Sequence, residues 1–177
     1  MLVLVTGGAA SGKSEHAEKI ICARAHSKLY LATMQPFGKS ARARIARHRK
    51  LREGKGFHTV ERSLDLKGLQ MDRHYDGILL EDLGNLLANE MYEPAGTGDA
   101  CVRAIIDGIR CLMCTGANLV IVTNEVFSDG MRYDASTMLY IERLGMINAA
   151  LADMADEAIE VVAGIALPKK GGPAACF

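Results

Sequence analysis

Short apolar runs rich in Val, Ile and Leu recur along the chain, separated by longer amphipathic stretches. The runs fall at 2–6, 28–33, about 57–61, 77–81, 118–123 and 157–163. They are almost continuously apolar, which is typical of parallel strands covered on both faces. Helices are predicted at 13–26, at 40–53, at about 99–115 and at 135–155. The alternation of strands and helices predicts an α/β fold with a mostly parallel sheet and helices on both faces.

Size and composition restrict the class of protein. The 177 residues are 49% apolar and 24% charged, which is ordinary for a globular protein and excludes a disordered chain. We expect one domain over 1–170 and a flexible tail over 171–177, where Gly, Pro and Ala predominate. Because no apolar run approaches 18 residues, we predict no membrane span.

Cysteine usage and the first residues predict the compartment. Five cysteines, an odd number in a chain of this size, are typical of reduced thiols in the cytosol. The apolar segment 2–6 runs directly into glycines and lacks the charged region and the longer apolar stretch of a signal peptide. A cytoplasmic protein is therefore expected.

Charge is balanced overall but not locally. Lys and Arg number 21, as do Asp and Glu, and a net charge of zero argues against a protein whose main role is to bind nucleic acid. Eight basic residues and one acidic residue lie within 39–55, whereas seven acidic residues and one basic residue lie within 72–99. Such runs usually form a solvated face, unless nearby motifs give them a ligand.

A phosphate-binding motif follows the first predicted strand and opens the first predicted helix. The pattern G-x-x-x-x-G-K-[ST] is matched by Gly7, Gly8, Ala9, Ala10, Ser11, Gly12, Lys13 and Ser14. Glycines let the backbone N–H groups surround a phosphate, and the helix N-terminus adds partial positive charge. We expect Lys13 to bridge the β- and γ-phosphates and Ser14 to place its hydroxyl on Mg²⁺. The motif predicts a P-loop NTPase-type fold that binds a Mg²⁺-nucleotide.

Two acidic residues end the predicted strand 77–81. Phosphate loops usually work with a carboxylate at the end of a neighbouring strand, and Glu81 and Asp82 both stand there. Adjacent strand positions point to opposite faces, so we expect only one of them to reach the metal. Position alone does not choose between them.

The predicted helix 40–53 carries a histidine among arginines. Helical spacing brings Arg44, His48 and Arg52 onto one stripe and turns Ile45 toward another face. Nearby positive charges disfavour the imidazolium, so we expect a lowered pKa and a neutral, nucleophilic His48. Next to arginines that can hold phosphates, it is a candidate covalent nucleophile. The alternative is a solvated surface histidine.

Taken together, the motifs resemble the bifunctional adenosylcobinamide kinase/adenosylcobinamide-phosphate guanylyltransferase family of cobalamin biosynthesis. The similar segments, in order, are 5–14 (VTGGAASGKS), 29–33 (LYLAT), 44–49 (RIARHR) with Arg52 and 59–61 (TVE), 78–81 (ILLE) and 122–126 (VTNEV). The combination of this loop with Arg-Ile-x-x-His is far more specific than a phosphate loop alone.

The resemblance implies a role for each matched residue. It makes His48 the acceptor of GMP from GTP, forming a phosphoramidate that passes GMP to adenosylcobinamide phosphate. It implies that the loop serves both activities and that Lys13 is catalytic in the kinase step. Of the two strand-end acids it favours Glu81, which would bind the metal together with the Ser14 hydroxyl. Further nucleotide-site residues that it implies are Thr33, Arg49, Arg52, Glu61 and Glu81.

The same resemblance names substrates and an assembly. GTP, ATP and Mg²⁺ are the expected cofactors, and adenosylcobinamide and adenosylcobinamide phosphate are the expected acceptors. Members of the family are typically homo-oligomers, and the resemblance implies a trimer for this chain. Neither a nucleic-acid partner nor a membrane is expected.

Two other functions fit parts of the pattern. In a plain P-loop small-molecule kinase, the basic helix would be a lid over the transferred phosphate and no covalent enzyme adduct would form. A nucleotide-dependent switch would change conformation and have no small-molecule acceptor. Because Thr123-Asn124-Glu125 lacks the composition of a guanine-reading Asn-Lys-x-Asp tetrad, the switch is the weaker of the two.

Overall fold

A computed structural model describes residues 1–126, 128 and 130–171, with the side chains of 39–41 and 51 left aside. Its sheet has seven strands in the order β3-β2-β4-β5-β1-β6-β7. The strands are β1 Leu2–Thr6, β2 Lys28–Ala32, β3 Phe57–Glu61, β4 Gly77–Glu81, β5 Asn118–Val122, β6 Glu157–Val162 and β7 Ile165–Lys170. All neighbours pair in parallel except β6 and β7, which are antiparallel.

Within the described residues, five α-helices connect the strands. They are α1 Lys13–Arg24, α2 Gly38–Arg52, α3 Leu83–Tyr92, α4 Cys101–Met113 and α5 Ala135–Met154. Two of them begin with an aspartate cap. Asp82 accepts the backbone N–H of Asn85 at the start of α3, and Asp134 accepts those of Ser136 and Thr137 at the start of α5. These caps satisfy N–H groups that have no partner within the helix. None of the helices in the described ranges is long and apolar enough to cross a membrane.

The sheet separates two layers of helices. Successive strand residues point to opposite faces, so Leu2 and Leu4 pack with α3, α4 and α5, while Val3 and Val5 pack with α1. The central strands are buried on both faces, which explains why their sequences are continuously apolar. The predicted α/β sheet with helices on both faces is therefore confirmed.

The predicted elements are all present, and the described residues add one α-helix, one strand and two short 3₁₀ helices, Leu66–Gly68 and Gly98–Ala100. The helix α3 follows directly on β4, where the sequence analysis predicted only a strand end. The strand β7 forms a hairpin with β6, through a turn in which Ala163 and Gly164 both have positive φ, 50° and 82°. This conformation suits a tight two-residue turn. The turn ends β6 at Val162 and reverses the direction of the chain, so that β7 pairs antiparallel with β6. Of the predicted tail 171–177, all but Gly171 lies outside the described residues.

Candidate active site

The phosphate loop connects β1 to α1 and requires glycine at two points. A Cβ atom on Gly7 would lie 2.5 Å from the carbonyl oxygen of Val161 and 2.6 Å from Ser11 Oγ, so a side chain has no room there. Gly12 caps α1 with φ of 93°, a left-handed conformation that glycine adopts readily. The turn between β6 and β7 supports the loop, because the N–H of Gly164 donates to the carbonyl oxygen of Ser11 at 2.8 Å.

A cavity of about 650 Å³ lies where the parallel strands end. Its walls come from the loop, from α2, from the carboxyl-terminal residues of β2, β3 and β4, and from residues that follow β2, β4 and β5. The carboxyl ends of a parallel sheet are the usual place for a ligand in α/β folds. The predicted site residues that line it are Ala9, Ala10, Ser11, Gly12, Lys13, Ser14, His48, Arg49, Arg52, Glu61 and Glu81.

Lys13 and Ser14 lie at the start of α1 and contact the protein itself. Lys13 Nζ donates to the carbonyl oxygen of Gly8 at 3.0 Å, and Ser14 Oγ donates to Glu81 Oε1 at 2.5 Å. Burial lowers the pKa of Lys13, although the carboxylates of Asp82 and Glu81 act in the opposite direction. Both side chains thus lie at the helix N-terminus, where phosphate groups bind.

The two acids at the end of β4 have different partners. Glu81 is 9% exposed, and burial raises its pKa to about 7, against the lowering effect of the Ser14 hydrogen bond. Asp82 also lines the cavity, but its Oδ1 accepts the N–H of Asn85 at 2.6 Å and caps α3. The peptide bond between the two acids is cis. The acid in contact with the loop serine is therefore Glu81.

Thr33 lies below the cavity wall. It is fully buried, and its N–H donates to the carbonyl oxygen of Glu81 at 3.0 Å. Its Oγ1 lies 2.7 Å from the carbonyl oxygen of Asp82 and accepts the Asp82 N–H at 2.9 Å. Thr33 therefore holds the backbone that carries the two acids. Thr33 does not itself line the cavity, and neither do Gly7 and Gly8, although all three were predicted as nucleotide-site residues.

One broad face of α2 lines the cavity. Its members are Arg44, Ile45, Arg47, His48, Arg49 and Arg52. The expectation that Ile45 turns to another face is wrong. At 3.6 residues per turn these six positions span an arc of about 200°, within which Ile45 lies between His48 and Arg49.

His48 is half-buried on this face. Burial is the largest cause of its lowered pKa, and the positive charge of Arg52 is the next; Arg44 and Arg47 add smaller effects, and Glu18 acts in the opposite direction. The predicted direction is confirmed, but its main cause is desolvation and not like charge. The imidazole is therefore neutral at neutral pH, the form that can act as a nucleophile.

Arg52 and Arg49 differ in their surroundings. Arg52 is 7% exposed, and its guanidinium carbon lies 3.4 Å from the centroid of the Tyr30 ring, which is cation–π geometry. Arg49 Nη2 lies 2.9 Å from Glu61 Oε1 in an exposed ion pair. The end of α2 that carries His48 is thus packed onto β2 and bridged to β3.

Unpartnered polar atoms mark the cavity as a binding site. Among the described residues, four buried side-chain atoms lack a hydrogen-bond partner: Ser11 Oγ, His48 Nδ1, Arg52 Nη1 and Glu81 Oε2. All four residues line the cavity. Buried polar atoms are normally satisfied, so this concentration is what a site for a polar, phosphate-bearing ligand requires.

Sequence reasoning missed several residues of the site. Tyr30 and Asn124 line the cavity, and Glu18 is buried beneath it, 1% exposed. The position of Asn124 directly after an apolar run could have indicated a strand-end ligand residue. The spacing of Ser14, Glu18 and Ile21 could have placed Glu18 on the inner face of α1.

The fold and the loop define the class of protein. A phosphate loop between β1 and α1, with its serine against a strand-end carboxylate, is the arrangement of a P-loop NTPase-type nucleotide-binding domain. A family model described as cobinamide kinase / cobinamide phosphate guanyltransferase matches residues 3–169. The chain belongs to this family, and the predicted membership is confirmed.

Curated relatives and solved structures agree with this assignment. The chain is 36% identical to the bifunctional adenosylcobalamin biosynthesis protein CobU of Salmonella typhimurium and 34% identical to the protein of that name from Escherichia coli. Each match covers 96% of this chain and the whole of the relative. The flagellar accessory protein FlaH of Methanocaldococcus jannaschii has a TM-score of 0.51 at 14% identity, covering 96% of this chain and 77% of its own. That likeness concerns the fold alone.

Proposed function

We propose that this enzyme phosphorylates adenosylcobinamide and then transfers GMP from GTP to the product through His48. The observation that carries the proposal is that four buried polar atoms without a partner among the described residues line one cavity: Ser11 Oγ of the loop, Glu81 Oε2 beside it, and His48 Nδ1 and Arg52 Nη1 of α2. The family has both activities in its description. A single phosphate site that faces a single nucleophile accounts for both activities.

In the kinase step, the loop holds a nucleoside triphosphate, ATP or GTP. The backbone N–H groups of the loop and the N-terminus of α1 face the phosphates. Lys13 exchanges its bond to the Gly8 carbonyl for the β- and γ-phosphate oxygens. The acceptor hydroxyl of adenosylcobinamide attacks the γ-phosphorus and releases its proton to solvent, the bond from this phosphorus to the bridging oxygen breaks, and the nucleoside diphosphate leaves with the electron pair.

Ser14 and Glu81 fit a magnesium ion. Their oxygens lie 2.5 Å apart, Glu81 Oε2 has no partner, and oxygen is the ligand that Mg²⁺ prefers. The described residues hold no cluster of three or more His, Cys, Asp or Glu that could bind a metal. Mg²⁺ is commonly held by one or two protein oxygens together with substrate phosphates. When bound, Mg²⁺ neutralises phosphate charge.

In the transfer step, the neutral imidazole of His48 attacks the α-phosphorus of GTP. A nitrogen–phosphorus bond forms, the bond to the bridging oxygen breaks, and pyrophosphate leaves with its electron pair. A phosphate oxygen of adenosylcobinamide phosphate then attacks the same phosphorus and releases His48, giving adenosylcobinamide-GDP. Arg52 and Arg44 are placed to hold phosphate oxygens and to stabilise the charge that develops on them. Arg49 and Glu61 line the proposed nucleotide site, and Thr33 supports it from below by holding the backbone of Glu81 and Asp82.

Intact mass spectrometry tests the nucleophile. The purified protein is incubated with Mg²⁺-GTP at neutral or alkaline pH, because a phosphoramidate is labile in acid. We expect a mass gain of one GMP in the wild type and in His74→Ala, an exposed histidine outside the cavity, and no gain in His48→Ala. A wild type that binds GTP but gains no mass would favour the plain small-molecule kinase.

The family also suggests an assembly and a location. We propose a homo-oligomer, a trimer by family resemblance, acting in the cytoplasm where ATP and GTP are available. Light scattering coupled to size-exclusion chromatography gives the mass of the particle, and cell fractionation gives its location. A particle of monomer mass at micromolar concentration would contradict the assembly.

A further inference from the structure

The buried carboxylate of Glu18 has no role in the steps above. It lies on α1, is 1% exposed, and its Oε2 is 2.5 Å from Nζ of Lys55. A buried charge is costly unless it is paired, and the partner of this one is a lysine three residues beyond the end of α2, the helix that carries the nucleophile. Its placement therefore calls for a function.

A short series of contacts links Glu18 to His48. The N–H of Lys55 donates to the carbonyl oxygen of Arg52 at 3.0 Å, so the lysine that Glu18 holds is bonded to the last turn of α2. His48 lies four residues before Arg52, one helical turn away on the same face. The end of α2 is thus attached to α1 by Glu18 and to β2 by the stacking of Arg52 on Tyr30.

The charges around the imidazole are mostly positive. From its own helix His48 faces Arg44, Arg47 and Arg52, and Glu18 is the carboxylate on α1 that opposes them. Other charged groups around the same cavity are Lys13, Glu15, Arg49, Glu61, Glu81 and Asp82. When a neutral imidazole nitrogen bonds to phosphorus, the ring gains positive charge. A carboxylate close to the ring lowers the energy of that state.

We propose that Glu18 is a positioning residue for His48, which holds the end of α2 through Lys55 and supplies the negative charge that the guanylylated imidazole faces. This inference rests on the proposed guanylyl transfer. The buried ion pair then serves the transfer step. Glu18 supplies the negative charge, and Lys55 links Glu18 to the end of α2.

The test measures the rate of guanylyl-enzyme formation from GTP against pH, by intact mass after an alkaline quench. The variants are Glu18→Gln, Glu18→Asp, Lys55→Met and the double variant Glu18→Gln/Lys55→Met. Asp107→Asn on α4 and Lys169→Met on β7 are matched charge controls outside the cavity. Thermal melting confirms that each variant is folded, and GTP affinity is measured separately.

We expect Glu18→Gln to slow adduct formation about tenfold or more, with a smaller loss of GTP affinity. Because the neutral imidazole is the reactive form, the rate falls on the acid side of the pKa of His48. Loss of the carboxylate moves this acid limb to lower pH, whereas loss of the Lys55 cation moves it to higher pH. Glu18→Asp keeps the charge and restores part of the rate.

Two outcomes overturn the inference, and they differ from failure of the proposed function. If Glu18→Gln and Lys55→Met slow the reaction equally and move the acid limb in the same direction, the pair is only structural. The same conclusion follows if folded Glu18→Gln reacts at the rate of the control variants. If the wild type forms no adduct, the guanylyl transfer itself is wrong.

Discussion

Burial gives the charged side chains around the cavity their chemical character. His48 is neutral mainly because it is desolvated, and Glu81 holds its proton to a pKa of about 7 for the same reason. Burial shifts the pKa of Lys13 downward, because it disfavours the charged ammonium, and two carboxylates offset part of this shift. Each of these groups is suited to a partner that brings charge, which a Mg²⁺-nucleotide would supply.

The carboxyl of Glu81 should reduce the stability of the nucleotide-free protein. Its folded pKa of about 7 exceeds its ordinary value of 4.5, so the free energy of unfolding falls as pH rises through this window. We expect Glu81→Gln to raise that free energy at pH 8 by up to about 3 kcal/mol, measured by urea unfolding, and to remove both activities.

At pH 4.5 the two proteins should unfold almost alike, because the carboxyl is then protonated in the fold. A Glu81→Gln variant that is no more stable than the wild type at pH 8 would show that the buried carboxylate is compensated in the folded protein.

At the scale of elements, α1 is held against the sheet by close packing. Gly77, the first residue of β4, faces Ala25 and Ile21 of the α1 segment. At the other end of the same helix lie the loop, Lys13 and Ser14. The packing at Gly77 therefore belongs to the scaffold, and the carboxyl end of β4 belongs to the site.

Gly77→Ala should weaken this scaffold. The new Cβ would collide with Cβ of Ala25 and lie 2.8 Å from Cδ1 of Ile21, and such overpacking costs about 1–3 kcal/mol. Urea unfolding measures the loss, and Ala25→Gly in the same chain should restore part of it. Independent, additive losses in the double variant would contradict the collision.

At the scale of the whole molecule, the proposed function has two reactions that share one phosphate loop. In the proposed mechanism the acceptor hydroxyl attacks the γ-phosphorus in one reaction, and His48 attacks the α-phosphorus in the other. Because one cavity joins the loop to α2, the proposal makes both activities dependent on the same lysine and separable at the histidine.

Lys13→Ala should therefore lower both activities, each on the order of a hundredfold, because both need the triphosphate held by the loop. Steady-state assays of cobinamide phosphorylation and of GMP transfer measure this. Lys19→Ala, an exposed lysine on the same helix, is the control. Loss of only one activity in folded Lys13→Ala would mean that the two reactions use different phosphate sites.

Much of the fold could be read from local pattern. The apolar runs predicted β1, β2, β4 and β5 because strands buried on both faces have little choice of residue; β3 and β6, also predicted, are only partly buried. The strand β7 escaped prediction because its apolar run is only three residues long before Pro168 and is mostly exposed, and its pairing depends on the hairpin turn. The helix α3 escaped because it starts directly at Asp82, with no loop to separate it from β4.

The sequence by itself determined the class of fold, the phosphate loop and the candidate nucleophile, since each depends on residue types at short, fixed spacing. The tertiary structure decided which distant groups meet. Ser14 contacts Glu81 across 67 positions, because the start of α1 meets the carboxyl end of β4, and Lys55 contacts Glu18 across 37. It also placed Thr33 beneath the site and Arg52 on Tyr30. Burial depends on the tertiary fold and cannot be predicted from local sequence pattern. It determines which of these groups is protonated.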